Sequence, residues 1–513
     1  MVTTIRVNQL KAGVLLSYAT LLTSLVVTLI YTPYMLKMIG QSEFGLYSLV
    51  GSIVAYLTIF DGGFGNAIVR YTAQFRALGK TDAQYSMFGM FVILYFVIGI
   101  AIGALGLYFY YQVDTLFSDS MTGLELDKIR TMILITLFNL VITLPLSIFG
   151  SIITAYERFV FHKTIQIARI ILNAAAMVAI LEMGFKAIGM IVVVTIFNVL
   201  TLVTHCWYCF VKIKIKLYFY NFQWSLLKGI AIYSFYIFLT IIVDRLFWST
   251  GQFVLGIQVG SASIAIFAVA IQLQAIYMSF SLAISSVFLP KMTSLVTGGA
   301  SQKTMSDLFI RTGRLQFSVM SFILCGFILF GKPFVLIWAG EEYGLVYVIT
   351  LLFFIPLTVP LIQNLGVTIL EARNQMKFRA YLYLGIALFS LILQVKLTYL
   401  YGVIGTAISI SIALVVGNAI VMNVYYFKKQ KLDILRFWRE ISHMAVSPII
   451  ITGAAYLLMQ DHSIDNVEKL VVRIIMFSIV YFCAFWVISL NQNERDLFGR
   501  PVKRVLSNWY SKF

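Results

Sequence analysis

The sequence predicts an all-α polytopic membrane protein with about fourteen transmembrane helices. Of its 513 residues, 60% are hydrophobic and only 12% are charged, whereas soluble domains have about 45–50% apolar and about 25% charged residues. Uninterrupted apolar stretches of about 20 residues recur along the chain, and this is the length that a helix needs to cross a bilayer. Long runs of period-two alternation are absent from the sequence, which argues against barrel strands.

The apolar stretches define the individual spans. The first stretch begins at Ala12 and is too long for a signal-peptide core of about 7–15 residues, so we interpret it as the first span. The longest outward connection, residues 112–127, is too short for an extramembrane catalytic domain. The predicted span centres lie near Leu25, Ala55, Ile98, Ile142, Leu172, Val199, Leu239, Ala270, Ser321, Pro356, Phe389, Leu414, Ile451 and Phe482.

The basic residues predict the orientation. About 28 of the 38 Lys and Arg residues fall in the N-terminal segment, the even-numbered connections and the C-terminal tail. Under the positive-inside rule, this bias places both termini of the multi-pass protein in the cytoplasm. It also accounts for most of the net charge of +17, so nucleic acid is not an expected partner. We expect basic clusters at residues 212–216, 428–431 and 500–504 to bind anionic lipid head groups.

An internal repeat divides the chain. The matching positions are residues 39–49 with 259–269, Pro145 with Pro360, and Gly189 with Gly405, and nearly the same length of chain separates the members of each match. Each copy holds six spans, an even number, so both copies have the same orientation, as in parallel-repeat transporters. The expected domains are an N-terminal lobe (1–220, spans 1–6), a C-terminal lobe (221–432, spans 7–12), and an additional helix pair with a basic cytoplasmic tail (433–513).

The second span contains the most unusual local sequence. Asp61 is followed by Gly62, Gly63 and Gly65 inside an apolar stretch. A carboxylate and a loosened backbone are both costly in hydrocarbon, where no water satisfies them. A broken membrane helix of this kind is typical of a transport path, and a packing kink is the other interpretation.

Several motifs in the first quarter of the chain carry a family resemblance. They are Lys11-Ala12-Gly13, Leu16-Ser17-Tyr18, Thr32-Pro33, the turn at residues 40–47, Asp61-Gly62-Gly63 and Ala67-Ile68-Val69-Arg70-Tyr71. With them, nearly the whole chain resembles the polysaccharide or oligosaccharide (O-antigen-type) flippases. These belong to the multidrug/oligosaccharidyl-lipid/polysaccharide exporter superfamily, which also contains the MATE drug exporters.

The resemblance implies a fold and a substrate. The fold would be two six-helix lobes in a V-shaped, MATE-like arrangement that opens alternately to each side of the membrane, plus a C-terminal helix pair. The substrate would be undecaprenyl-pyrophosphate-linked oligosaccharide repeat units, flipped for synthesis of surface polysaccharide such as O-antigen or capsule. Other polysaccharide-assembly membrane proteins are expected partners. Members with fourteen spans, including the lipid II flippases, are known.

Charged residues within the spans are the candidates for the substrate cavity, since the fork of an Arg side chain matches phosphate oxygens. They are Asp61, Arg70, Arg169, Asp244 and Arg245. On an unbroken helix Asp61 and Arg70, nine residues apart, would lie on opposite faces. Arg70 either lines the cavity or anchors the cytoplasmic end of its helix. Asp244 and Arg245 either line the cavity or form a salt bridge or interface anchor.

Two further pairs are candidates for a cytoplasmic gate. Glu157 and Arg158 end the fourth span, and Glu371 and Arg373 end the tenth span at equivalent places of the repeat. Such pairs suit a gate that closes between lobes. Solvated helix caps are the alternative interpretation.

No catalytic residues and no metal site are expected. The four histidines are scattered, and Cys206 and Cys209, beside His205, lack the second ligand pair of a zinc site. The sequence has no Walker motif, so no cofactor is expected, and coupling to H⁺ or Na⁺ through Asp61 or Asp244 is an open alternative.

Two other functions are the alternatives. A MATE-type cation-coupled drug exporter predicts an acidic cavity, whereas Arg70, Arg169 and Arg245 make this one basic. A membrane-embedded glycan polymerase, ligase or acyltransferase needs a His or carboxylate group in a sizeable outward loop, and we find none. The sequence therefore favours a transporter and not an enzyme.

Overall fold

The described part of the chain is helical. The structure, a computed structural model, describes residues 9–220, 222, 224–373, 375–459, 466–492 and 494–495, and over these it contains helices and turns but no strand. Within them, thirteen helical stretches are long and apolar enough to cross a membrane. The predicted all-α polytopic class is confirmed. Arg500 and Arg504 of the predicted basic tail lie outside the described residues.

Seven α-helices make up the first part. They are α1 (Gln9–Ile39), α2 (Gln41–Leu57), α3 (Phe64–Ala77), α4 (Thr81–Phe117), α5 (Gly123–Ala155), α6 (Phe159–Glu182) and α7 (Ala187–Tyr208). A 3-10 segment, Thr58–Asp61, joins α2 to α3, and a π-helical turn, Cys209–Ile213, extends α7.

Ten further α-helices follow. They are α8 (Trp224–Trp248), α9 (Thr250–Gln258), α10 (Ser261–Thr297), α11 (Gln302–Ala339), α12 (Leu345–Ile362), α13 (Leu365–Ala372), α14 (Met376–Leu414), α15 (Asn423–Lys428), α16 (Ile434–Met459) and α17 (Val467–Ile488). A π-helical segment, Val415–Met422, joins α14 to α15.

One of the thirteen stretches accounts for two membrane crossings. Met376–Lys428 has 53 residues, which at about 1.5 Å per residue is roughly 80 Å, far more than a hydrocarbon core of about 30 Å. Gly402 interrupts it with φ 57° and ψ −139°, a backbone conformation that glycine adopts without a side-chain clash. The described residues therefore supply fourteen crossings, and each predicted span centre lies in one of them.

The chain forms two compact units. The first contains the residues up to Val269 together with Ala380–Ser409. In it α1 packs on α6, and α5 packs on both α4 and α7. Its core is apolar, and Phe88, Phe91 and Tyr95 are almost fully buried.

The second unit contains Ala270–Arg379 and the residues from Ile410 onward. Here α11 packs against α12, α16 and α17. The buried Tyr481 hydroxyl of α17 lies 2.8 Å from the Ser321 hydroxyl of α11, and the Tyr481 ring packs beside that of Phe322. The helix pair α16–α17 is therefore an integral part of this unit.

Repeat-related turns meet within the first unit. Gly40 and Gly260 precede α2 and α10 and have φ of 80° and 117°. A Cβ atom at Gly45 would collide with the Ser261 carbonyl, so only glycine permits this close approach. The Ser42 and Ser261 hydroxyls both donate to the Glu125 carboxylate at 2.6 Å. One carboxylate thus links the equivalent turns of the two repeats.

Candidate functional site

The second span is broken at Asp61, as the sequence predicted. The α-helix α2 ends at Leu57, and Asp61 closes the 3-10 segment. Gly62 and Gly63 then adopt φ of 59° and 69° before α3 begins. The half-buried Asp61 carboxylate accepts hydrogen bonds from the Tyr95 hydroxyl and from the Gly63 backbone N–H. The break therefore provides one donor for the carboxylate, and α4 provides the other.

The seventh span is also broken, between α8 and α9 at Ser249. Four residues earlier, Arg245 Nη1 lies 3.8 Å from the Asp244 carboxylate. Thr250, just after the break, hydrogen-bonds with the Tyr56 hydroxyl of α2. Because α8 packs against both the 3-10 segment and α3, the structure brings the element that carries Asp61 next to the helix that carries Asp244 and Arg245.

The remaining predicted cavity cations lie elsewhere in the first unit. Arg70 of α3 is exposed, and its guanidinium lies over the Tyr71 ring, 5.9 Å from the centroid. Arg169 lies near the middle of α6 and belongs to a larger polar cluster that the sequence analysis did not identify.

We call this cluster the polar ladder. Its members come from three packed helices of the first unit: His162, Gln166, Arg169 and Asn173 of α6, Asn198 and His205 of α7, and Asn139 and Thr143 of α5. The α6 members are spaced by 4, 3 and 4 residues, so they lie along one face of the helix.

At one end of the polar ladder, Asn198 forms hydrogen bonds with three other members. Its amide nitrogen donates to Asn139 Oδ1 at 2.7 Å and to Thr143 Oγ1 at 2.6 Å. Its Oδ1 atom accepts from Arg169 Nη1 at 3.4 Å. The amide is thereby oriented with its oxygen toward the guanidinium, and Arg169 is held by a neutral dipole.

The two histidines form the other end. Their ring centroids lie 5.1 Å apart. Gln166 connects them to Lys163, because its Oε1 accepts from Lys163 Nζ at 3.2 Å and its amide nitrogen lies 3.0 Å from His162 Nε2. His205 is only 6% exposed, and its Nε2 has no hydrogen-bond partner among the described residues.

The polar ladder carries the positive charge of Arg169, and Lys163, bonded to Gln166, lies beside it. Within the described residues neither Lys163 nor Arg169 forms an ion pair. A cation within a membrane helix is usually paired or faces a polar cavity. Arg and amide N–H groups are strong donors to phosphate and carboxylate oxygens. The arrangement is therefore chemically suited to an anionic ligand.

The predicted gate residues lie at helix ends. Glu157 and Arg158 are exposed in the turn between α5 and α6, and Glu157 has φ 56°. Glu371 is exposed as well. Arg373 donates to Gln430 Oε1 at 2.8 Å and to Gln302 Oε1 at 3.3 Å, both in its own unit. Arg373 therefore ties the end of α13 to the start of α11, and the gate role stays a prediction.

The Cys206–Cys209 motif lies where α7 continues into its π-helical turn. Among the described residues there is no group of three or more His, Cys, Asp or Glu side chains placed to hold a metal ion. Cys209 instead packs in the apolar core, with its thiol 3.4 Å from the Phe149 carbonyl oxygen.

Comparisons with known proteins place the fold. It is similar to a solved structure described as the lipid II flippase MurJ in an inward closed conformation. That match has 17% identity, covers 95% of this chain and 99% of the other, and has a TM-score of 0.73. At this identity the likeness concerns the fold. No family model and no curated protein matches the chain.

Two transporters of the MOP superfamily share the fold with lower coverage. An inward-facing multidrug resistance MATE family transporter matches at 14% identity, with 82% of this chain and 94% of the other covered and a TM-score of 0.64. A MOP superfamily transporter from Pyrococcus furiosus matches at 14% identity, with 82% and 96% covered and a TM-score of 0.55. All three solved structures are described as transporters or flippases.

Proposed function

We propose that the chain is a flippase that moves undecaprenyl-pyrophosphate-linked oligosaccharide repeat units across the bacterial cytoplasmic membrane by alternating access. The observation that carries the proposal is the polar ladder, where Arg169 at mid-helix contacts an amide oxygen at 3.4 Å and pairs with no carboxylate of the described residues. Each unpaired polar group of a sugar diphosphate costs several kcal/mol in hydrocarbon. A guanidinium and several amides can form the hydrogen bonds that this head group loses when it leaves water.

The dimensions of the polar ladder fit this role. From His162 to Asn173 the α6 face rises through eleven residue steps, or about 16 Å, which is half of a hydrocarbon core of about 30 Å. In the predicted orientation α6 starts at the cytoplasmic side. The polar ladder would then support the head group from the inner surface to the middle of the bilayer, while the polyprenyl tail stays in lipid.

The comparisons favour a flippase over a drug exporter. The MurJ match covers 95% of the chain, and the MATE match covers 82%. The additional coverage of the MurJ match is similar in length to the predicted additional segment 433–513. MurJ is named as a lipid II flippase, and a lipid-linked sugar diphosphate is the same chemical class of substrate.

A MATE-type cation-coupled exporter is the second candidate. The observation in its favour is that Asp61 and Asp244 lie on packed neighbouring elements of the first unit, where carboxylates suit a cationic ligand or coupling ion. Arg245 lies 3.8 Å from Asp244 and offsets that negative charge. The polar ladder, with no carboxylate bonded to Arg169 among the described residues, would have no role in that function.

Depletion of the protein tests the proposal. Lipid-linked repeat units should accumulate on the cytoplasmic face of the membrane. Complementation with Arg169→Gln should restore at most about one tenth of wild-type export, because one charge-assisted hydrogen bond is worth about 1.5–3 kcal/mol. Lys396→Gln is the matched control, since it removes an exposed single cation from α14, and it should restore export fully.

Two outcomes would contradict the proposal. Single repeat units on the outer face after depletion would indicate a polymerase. Unchanged pools of lipid-linked sugar, together with loss of export of cationic drugs, would indicate a MATE-type exporter.

A further inference from the structure

The histidine end of the polar ladder contains a buried imidazole that the proposed function does not explain. His205 is 6% exposed, and its Nε2 has no partner among the described residues. A buried polar atom without a hydrogen bond is unfavourable by about 1–3 kcal/mol. Such an atom within a cationic cluster indicates a ligand that completes its hydrogen bonding.

The hydrogen-bond network fixes the state of the neighbouring histidine. Lys163 has only donors, so the Gln166 atom that faces it at 3.2 Å is the amide oxygen. The NH₂ group of Gln166 then faces His162 Nε2 at 3.0 Å. Two donors cannot share this contact, so Nε2 carries a lone pair and the proton is on Nδ1. Lys163 therefore holds His162 in its neutral form.

His205 has no such constraint on its Nε2. Gly150 of α5 lies beside both rings, and a Cβ atom there would be 3.5 Å from His205 Nδ1 and 3.9 Å from His162. The ring of His205 can take up a proton without breaking a bond to Nε2. This would add a third positive charge beside Lys163 and Arg169, and the charge would need a negative partner.

The other ionisable groups nearby do not provide that partner. Of the elements packed around the histidines, α6 contributes Lys163 and Arg169, α1 carries Tyr18, and α7 with its π-helical turn contributes Cys206, Tyr208, Cys209 and Lys212. The α2 helix carries Glu43, which already pairs with Lys128. Glu157, in the turn before α6, is exposed to solvent. The charged residues of α5 lie in its first two turns, about 30 Å along the helix from Gly150. Positive charge thus dominates this part of the described structure.

We infer that His205 is a protonation site coupled to anion binding on the polar ladder, so that one proton is taken up with each phosphate-bearing head group. The inference rests on the proposed function for the identity of the anion. The proton moves from solvent to the imidazole of His205 as the anion binds, which makes Nε2–H a charged donor to the anion, and it returns to solvent when the anion leaves. No covalent bond is made or broken in the step.

The physical basis is thermodynamic linkage. The anion supplies the negative charge that an imidazolium needs, and the imidazolium supplies a charge-assisted donor that the anion needs. Each therefore strengthens the binding of the other by the same factor. The bound head group also carries less net negative charge, which lowers the free-energy cost of its passage.

Calorimetry on the full-length protein in detergent tests the inference. The probe is farnesyl diphosphate, a short polyprenyl diphosphate, titrated at one pH in PIPES and in Tris buffers, whose protonation enthalpies differ. The wild-type enthalpy should depend on the buffer, with a slope of about one proton per bound diphosphate. His205→Gln should lose this dependence and bind roughly tenfold more weakly, through loss of a charge-assisted hydrogen bond.

Two variants serve as controls. His162→Gln should keep the proton uptake, because His162 stays neutral, while its affinity falls, because its Nδ1–H is also buried without a partner among the described residues. His205→Asn, which likewise lacks an imidazole, keeps the test valid if His205→Gln does not fold. His443→Gln, an exposed histidine of α16 in the other unit, should match wild type in both affinity and proton uptake.

The inference is overturned if wild-type binding shows no buffer dependence, if His205→Gln retains it, or if His162→Gln alone removes it. The inference is also overturned if wild type does not bind farnesyl diphosphate at all. In that case ordered water is the hydrogen-bond partner of His205. These results leave the depletion experiment unaffected. The converse result is also distinguishable. If diphosphate binding is linked to proton uptake but depletion causes no accumulation of lipid-linked sugars, the proposed function is contradicted and the inference about His205 stands.

Discussion

Two regions of the chain place cations in apolar helices and give them different hydrogen-bond partners. In the second unit Arg314 of α11 is 7% exposed and Glu494 is 4% exposed. The guanidinium donates to both oxygens of Glu494 at 2.6 and 2.8 Å, and it lies 3.6 Å from Glu440. In the polar ladder Arg169 has the amide oxygen of Asn198 at 3.4 Å and no carboxylate among the described residues.

The difference distinguishes a cation that stabilises the fold from a cation that can bind a ligand. A cation with two carboxylates is satisfied within the protein and has no charge left for a ligand. Arg169 is exposed and is held by an amide, so its charge stays available to a ligand. The repeat supports this distinction, since the positions that match Arg169, Asn198 and His205 in the second repeat are Leu384, Leu414 and Val421.

The largest effect is expected when Arg314 loses one of its carboxylate partners. Glu494→Ala leaves a buried guanidinium with the Ser489 carbonyl oxygen at 3.2 Å and the longer contact to Glu440 at 3.6 Å. Loss of one partner of a buried pair costs about 3–5 kcal/mol. Denaturant titration in detergent should show a decrease of this size in the free energy of unfolding. Asp307→Asn, in the more exposed pair with Arg436, should change it by less than about 1 kcal/mol. Equal effects would mean that the Arg314 network is not structural.

A smaller effect is expected when Arg169 is given a carboxylate partner. Asn198→Asp keeps the shape of the side chain and places a carboxylate beside Arg169. Export of lipid-linked repeat units should fall about tenfold, since the guanidinium charge is neutralised. The free energy of unfolding should not fall by more than about 0.5 kcal/mol. Unchanged export would show that the charge of Arg169 is not used.

The smallest effect is expected in the aromatic cluster of the second unit. Tyr277 stacks on Phe354 with ring centroids 4.1 Å apart, and its hydroxyl lies 2.7 Å from the Thr358 hydroxyl. In the register set by the matching prolines of the repeat, Phe354 and Thr358 take the places of Asn139 and Thr143. Tyr277→Phe should lower the free energy of unfolding by about 1 kcal/mol, and export should stay within twofold of wild type. A larger loss of export would assign function to both repeats.

The spans and the Asp61 break could be predicted from the sequence, because both depend on local composition. The length of each apolar stretch predicts a span directly. A carboxylate next to three glycines predicts an interruption in the helix that contains them. The predicted lobe boundaries and site roles remain predictions. The polar ladder was missed because its contacts join distant positions: Asn139 and Asn198 are 59 residues apart.

One signal for the polar ladder was present in the sequence. His162, Gln166, Arg169 and Asn173 recur at helical spacing in an apolar span, and this pattern predicts a polar stripe along one face. The pairing of His162 with His205 could not be inferred, since it depends on how α6 packs on α7. The histidines are scattered along the chain and adjacent in the fold.

The bond between Arg314 and Glu494 has a consequence for biogenesis. The two residues are 180 positions apart, so at about 5–20 residues per second a ribosome needs roughly 9–36 s to synthesise the acidic partner after the basic one. During that interval the nascent helix holds a cation whose main counter-ion does not yet exist. We expect that a translation product truncated before this glutamate retains an unstable helix, and that cellular quality control degrades it.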